Sequence, residues 1–352
     1  MSASSRVTLR QIADKTGYHF TTVSLALRDH HSIAPGTRKL ISETAARMGY
    51  RPDPALSALV AYRHSTKKPL FSSTLAWVCA NEKGYHWKEV PLFCEYYAGA
   101  REQAEKLGHK LEPFDLNTPG MTPRRAQQIL ESRGITGLLI APFRRAGGTI
   151  PLEWGKFCAV TFGYTLRSPK LHIVSNNHFR MMLELLSQVK ERGYCRPGLV
   201  LLQNSTERVE NKWIAAFLSK QFLEEREYPI PPLLLKKWSS GAFERWRKES
   251  APDILVTGSR QLPQLMPHLS RKGIRVPEDL GVVDYNLSAE DNLLAGMKQD
   301  GEAVGRTAVS VLSRLIHNNE RGALESDQIH TLIDGYWHEG PSILPAAPKS
   351  RS

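Results

Sequence analysis

The chain has 352 residues, 41% of them hydrophobic and 23% charged. It is long enough for two substantial cores plus an accessory module, and its composition is that of a soluble globular protein rather than a disordered one. No apolar run approaches the roughly 18 residues of a membrane span, and the opening MSASSRVTLR lacks the apolar core of an export signal; together these exclude a membrane partner and predict a cytoplasmic location.

The net charge of +12 is front-loaded. Residues 1–68 carry eleven Lys or Arg against four acids, a net of +7. Such a field on a short segment favours a polyanion, because each phosphate neutralised releases condensed counterions. Cys79, Cys94, Cys158 and Cys195 form no CxxC pair, so reduced, mostly buried thiols are expected rather than disulfides or a zinc site. His172 and His178 lie six apart and could share a face, but with twelve histidines such near pairs are commonplace; neither metal nor cofactor is expected.

In chain order, Thr8 stands three residues before Gln11, the spacing of a capping box, and predicts a helix from Leu9 to about Lys15 ending at Gly17. A second short helix, about Phe20 to Arg28, places Val23, Ala26 and Leu27 on one side and leaves Thr21, Thr22, Ser24 and Leu25 on others. Two short helices split by a Gly-containing turn are a helix-turn-helix candidate. A third starts at Pro35 and runs through GTRKLISETAARM, with Leu40 or Ile41, Ala45 and Met48 at core spacing. A small core of Ile12, Val23, Leu27, Ile41 and Met48 follows. Asp53 then caps a helix starting at Pro54, whose apolar strip of Leu56, Leu59 and Val60 is too short to be stable alone.

Residues 7 to about 60, VTLRQIADKTG…TTVSLALRD…IAPGTRKLISETAARMGYRPDPALSAL, resemble without a gap the DNA-binding domain and hinge of the lactose-repressor (LacI) family. The resemblance implies an all-α helix-turn-helix domain over residues 1–51 and a hinge helix with linker over 52–68. It further implies a two-lobed, periplasmic-binding-protein-like α/β core for effector binding and dimerisation over 69–345, and a disordered tail over 346–352. Such a regulator, most often a repressor, binds a palindromic double-stranded operator as a homodimer on the nucleoid and answers to a small-molecule effector, commonly a carbohydrate. Carried over by residue, Phe20, Thr21 and Leu25 fall at base-reading positions. Thr8, Thr22, Ser24, Arg28, Thr37 and Tyr50 fall at phosphate contacts, which set register without reading sequence. Leu59 matches the hinge leucine that wedges into the minor groove. Tyr18-His19 replaces the usual small-Ser pair and Leu25 the frequent Arg, so the expectation at Leu25 is an apolar contact with a thymine methyl, or no contact, instead of a bidentate grip on guanine.

From Phe71 the texture becomes strands alternating with amphipathic helices, which implies parallel βαβ units in two sheets, roughly 71 to 165 and 180 to 290, flanking a cleft, with the final stretch crossing back. Strand ends place Asn81, Phe143, Tyr164, Gln203 and Ser259 to Arg260 at the cleft mouth. VPEDLGVVDYN and GMKQDGEAVGRTAVSVLSRLI continue the resemblance, but the family's sugar-gripping Arg aligns with Val209, Arg208 sits one place away, and Asn286 replaces a usual Asp. The effector-site candidates are therefore Asn81, Phe143, Tyr164, Arg208 and Asn286, and a regulator whose core has lost effector binding is the second reading. Phe93, Tyr96 and Tyr97 lie where the family's cores meet their twin and offer aromatic anchors, or else internal packing. No GxSxG, GxxxxGK[ST], HExxH or post-strand GxGxxG motif is present, so no enzyme is expected.

Overall fold

The computed structural model describes residues 7–27, 33–48, 50, 73–80, 86–224, 229–287, 293–324 and 326–345. Arg28, Leu59, the hinge pattern around Asp53, Asn81 and the tail 346–352 lie outside them.

Helix α1 (Leu9–Thr16) opens on the capping box: Gln11 N donates to Thr8 Oγ1 (3.4 Å) and Thr8 N donates to Gln11 Oε1 (2.8 Å). It ends on Gly17, whose left-handed backbone (φ 72°) a side chain would strain. Helix α2 (Phe20–Ala26) stops at Leu27 rather than Arg28. His19 caps it, accepting from Thr21 N through Nδ1 at 3.3 Å, so the Tyr18-His19 replacement keeps a capping acceptor where the family has its hydroxyl. Helix α3 (Pro35–Arg47) places its proline in the first turn. Ile12, Ala13, Val23, Ala26, Ile41 and Ala45 close the buried centre, with Tyr18, Leu27, Met48 and Tyr50 packed at its edge. Of the two alternatives in α3, Ile41 points in and Leu40 is exposed.

The remaining chain builds two α/β lobes. The first contains β1 (Ser73–Cys79), α4 (Pro91–Lys106), β2 (His109–Asp115), α5 (Pro123–Ser132), β3 (Gly137–Ile140), a small ribbon of β4 (Gly148–Thr149) with β6 (Leu166–Ser168), β5 (Cys158–Phe162) and β7 (His172–Asn176). The second contains α6 (His178–Glu191), β8 (Pro197–Leu202), α7 (Gln203–Glu207), α8 (Lys212–Leu223), β9 (Leu233–Leu235), α9 (Ser240–Ser250), β10 (Ile254–Thr257), α10 (Leu262–Arg271), β11 (Gly281–Leu287) and β12 (Ala295–Lys298). The chain then crosses back as α11 (Gly301–Asn318) and β13 (His330–Ile333) before β14 (Tyr336–His338).

The sheets run β13-β7-β5-β3-β1-β2 and β14-β12-β11-β10-β8-β9. All pairings are parallel except β12 with β14. Continuous apolar runs such as GLLI in β3 and ILVT in β10 are buried throughout, as strands covered on both faces require. The first sheet reaches past residue 165 to β7 and takes its edge strand from the C-terminal stretch. Helix α11 belongs to the first lobe and lies against α4 with the two backbones in contact. A Cβ on Gly99 would sit 2.1 Å from Glu302 O, and one on Gly305 2.1 Å from Tyr96 O.

Three connections pass between the lobes: β7 to α6, β12 to α11, and β13 to β14. Side-chain amides stitch them together. Asn176 Nδ2 donates to Gln299 Oε1 (2.5 Å) and to Tyr96 Oη (2.9 Å), and Asn177 Nδ2 donates to Asp334 Oδ1 (2.9 Å). Among the described residues no helix is long and apolar enough to cross a membrane.

Candidate effector cleft and nucleic-acid interface

Two surfaces carry the residues singled out from the sequence. On the N-terminal unit, burial of Val23 and Ala26 turns the opposite face of α2 outward. Phe20 is 46% exposed, a large apolar ring held in water, and Thr21 is exposed beside it. Thr21 Oγ1 lies 3.1 Å from His19 Nδ1, which ties its rotamer to the cap. Leu25, Thr22 and Thr37 are half-buried at the margins, Thr8 is exposed at the start of α1, and Tyr50 packs against the small core. Ser24 lies within α2.

The second surface is a cavity between the lobes with about 700 Å³ of empty space, its open mouth included. It lies at the carboxyl ends of the parallel strands, where open sheets hold ligands. Six Phe, Tyr and Trp rings line it, Phe93, Tyr96, Phe162, Tyr164, Trp213 and Tyr285, together with the His178 imidazole. Tyr96 stacks on Phe162 (centroids 5.2 Å), and Trp213 lies 4.7 Å from Tyr285 and 4.9 Å from the His178 ring. Burial drives the Tyr96 and Tyr285 hydroxyls above their ordinary range and the Tyr164 hydroxyl up to about 12, so all three are neutral donors.

Arg208, Arg260, Ser259, Asn286 and Gln299 supply polar groups to the same cavity. The lobes meet across it through cations on rings. Arg208 follows α7 in the second lobe and lies 5.6 Å over Phe93 of α4, while Lys212 Nζ, at the start of α8, lies 3.6 Å from the Tyr164 centroid. His178, at the start of α6, is buried in this positive surrounding. Burial first, then Lys212 and Arg208, push its imidazole down to about 3, so it is neutral.

Of the effector candidates, Tyr164, Arg208 and Asn286 are brought together in this cavity; Phe143 is not among its lining residues. The Phe143 ring is part of the first lobe's packing and fills the place where a Cβ on Gly148 would stand, 2.6 Å away. Its neighbour Pro142 lines the cavity instead. Gln203 and Arg260 line a second hollow together with Arg144, Arg145, Lys236 and Glu207. Asn286 is turned into the polar floor: its Oδ1 accepts from Gln299 Nε2. Asp284 does not stand in for the missing carboxylate. It is fully buried, with one oxygen accepting from Asn286 N (2.6 Å) and the other from Ser259 Oγ (2.7 Å).

Phe93 and Tyr96 are buried in the first lobe and face the cleft, and Tyr97 packs edge-on to Trp77. Of the two roles open to these rings, the structure places them in internal packing, because the close approach of α11 turns that side of α4 inward. Cys195 is exposed, against the expectation of buried thiols, whereas Cys79 and Cys158 are buried. His172 and His178 lie on a strand and a helix respectively, with no shared face. The sequence reading missed Trp213, His178, Tyr285 and Gln299; Trp213 and Tyr285 carried the only visible signal, as aromatics beside strand or helix ends.

A periplasmic-binding-protein-like domain model matches residues 186–335. The chain is 22% identical to the uncharacterized HTH-type transcriptional regulator YkvZ of Bacillus subtilis (strain 168), over 87% of this chain and 88% of that one. It is 20% identical to the HTH-type transcriptional repressor PurR of Haemophilus influenzae (strain PittEE), over 92% and 95%. Among solved structures it is similar to the Lac repressor dimer bound to operator and the anti-inducer ONPF (17% identity, 97% and 100% covered, TM-score 0.54). It is also similar to a LacI-family regulator from Rhizobium etli (14% identity, 77% and 99% covered, TM-score 0.61). These relatives are named as transcriptional regulators or repressors. With its small three-helix unit and its two parallel sheets joined by three crossings, the chain has the periplasmic-binding-protein-like architecture of the LacI-type transcriptional regulators.

Proposed function

We propose that the chain is a sequence-specific DNA-binding transcriptional regulator, a repressor, that binds a palindromic operator as a homodimer in the cytoplasm and responds to a small molecule held between its lobes. The observation that carries this reading is the face of α2: a helix anchored by Val23 and Ala26 that presents Phe20 and Thr21 to solvent, in the most basic part of the chain. Phe20, Thr21 and Leu25 read bases in the major groove, and Thr8, Thr22, Ser24, Arg28, Thr37 and Tyr50 hold phosphates. Leu59 enters the minor groove at the operator centre. Residues 1–51 form the DNA-binding domain, 52–68 the hinge, 69–345 the sensing and dimerising core, and 346–352 a tail. The aromatic cavity favours a core that retains effector binding over one that has lost it.

Effector binding favours one separation of the lobes, and that differential affinity shifts the DNA-binding units. Selection of bound duplexes from a random pool tests the reading: a palindrome with a deformable central step is expected. Deletion of residues 1–60 should abolish binding while leaving a folded dimer. A truncated chain that still bound duplex with a steep salt dependence would sink the proposal.

A further inference from the structure

The walls of the cleft carry a chemical bias. Among the described residues that line it there are two guanidiniums, Arg208 and Arg260, and no Asp or Glu. Arg260 also belongs to the second hollow, where Arg144, Arg145 and Lys236 face a single acid, Glu207. The hollow that adjoins the cavity at Arg260 is therefore positive, a field that raises the local concentration of anions.

A sugar with vicinal hydroxyls needs acceptors arranged to take several donated protons. Asp284, the carboxylate bonded to the cavity residues Ser259 and Asn286, has one oxygen committed to each, and the amide oxygens of Asn286 and Gln299 accept from Gln299 and Asn176. What the cavity offers is donors and ring faces. His178 adds a further polar contact. It is 7% exposed, lines the cavity, is held neutral by burial, and its Nδ1 has no hydrogen-bond partner among the described residues. A buried ring nitrogen left without a partner costs free energy unless a bound molecule or water completes it.

We propose that the effector is a small aromatic acid: its anionic group is held by the Arg208 and Arg260 guanidiniums, its ring lies between the aromatic walls, and His178 makes one hydrogen bond to it. The assignment rests on the regulator reading above and names the ligand class of that cleft. A planar guanidinium fork pairs with a carboxylate or with a phosphate monoester, and the two are separable by experiment.

The full-length chain is titrated by calorimetry and thermal shift with four probes: benzoate, phenyl phosphate, benzamide and cellobiose. Benzoate or phenyl phosphate is expected to bind and raise Tm, and whichever is tighter identifies the anionic group. Benzamide, the same ring without the charge, and cellobiose should bind at least about tenfold more weakly. Arg208→Gln and Arg260→Gln should each weaken the acid by about tenfold or more. Arg208→Lys, which keeps the charge and loses the fork, should fall between, separating recognition from a folding defect. Tighter binding of benzamide or cellobiose, acid binding unchanged in both Gln variants, or no binding of either acid overturns the assignment. A chain that binds the acid but selects no duplex supports the acid site and overturns the regulator reading; one that selects a duplex but binds neither acid does the reverse.

Discussion

Lys212 Nζ stands 3.6 Å from the centroid of the Tyr164 ring, a contact that joins the first turn of α8 in one lobe to the segment after β5 in the other. Glu210 also pairs with this ammonium at 2.5 Å, so the cation is oriented from its own lobe before it meets the ring. A cation on an aromatic face at a partly buried site contributes about 1 kcal/mol. Lys212→Met should therefore lower the closed population and widen the molecule in small-angle scattering, whereas Tyr164→Phe, which keeps the ring, should not. Equal dimensions for Lys212→Met and parent would show that this contact does not hold the lobes together.

His178 gives the core a pH dependence. Its folded pKa of about 3 lies below its ordinary 6.5, so the folded chain binds fewer protons than the unfolded one as pH falls. The neutral ring's contribution is fully present above pH 6.5 and is lost progressively from there toward pH 3, on the order of a few kcal/mol across the window. His109 and His172, also pushed down chiefly by burial, add in the same direction. Urea titrations at pH 7.5 and 5 should show a stability difference that shrinks in His178→Phe. An undiminished difference would assign the effect elsewhere.

Gly305→Ala tests the α4–α11 contact. The added methyl meets the Tyr96 carbonyl at 2.1 Å and the Ala100 amide at 2.7 Å, backbone atoms that cannot rotate away. A loss of about 3 kcal/mol or more is expected from forced separation of the helices. A urea midpoint within error of the parent would show that α11 shifts freely.

In the N-terminal unit, Ile41→Ala removes a fully buried side chain from a core of six buried residues. A loss of about 3 kcal/mol approaches the whole stability of so small a unit. Operator binding should disappear while the melting of the core stays unchanged; retained binding would argue for support from outside the three helices.

Thr21→Ala and Phe20→Ala should change the half-site recovered from a random pool rather than abolish binding. An unchanged selected motif would remove both from base readout.

Local signals made the small unit legible. The Thr8-Gln11 box, Gly17 and Pro35 each act within one turn, and the structure places α1 to α3 within two residues of the expected bounds. The strand-helix alternation gave the two-sheet core for the same reason. Less legible were features made by residues far apart in sequence. β7, β12, β13 and β14 are at most five residues long, and β13 (HTLI) has no fully buried residue and no run of apolar alternation to mark it. The inward turn of Phe93 and Tyr96 depends on Gly99 meeting α11, two hundred residues on. The cleft floor joins Tyr96, Asn176, Gln299 and Asn286 from four separate stretches, and no spacing rule brings them together.

The three crossings also constrain how the molecule can be made. The first lobe begins with β1, yet its α11 cover and its β13 edge strand come from residues 301–333. During synthesis the early half of the chain must wait, with the α4 groove around Gly99 uncovered, until nearly the last segment has left the ribosome. Neither lobe is a self-sufficient folding unit, and a ribosome stalled near residue 300 would release a chain with two incomplete sheets rather than one finished lobe.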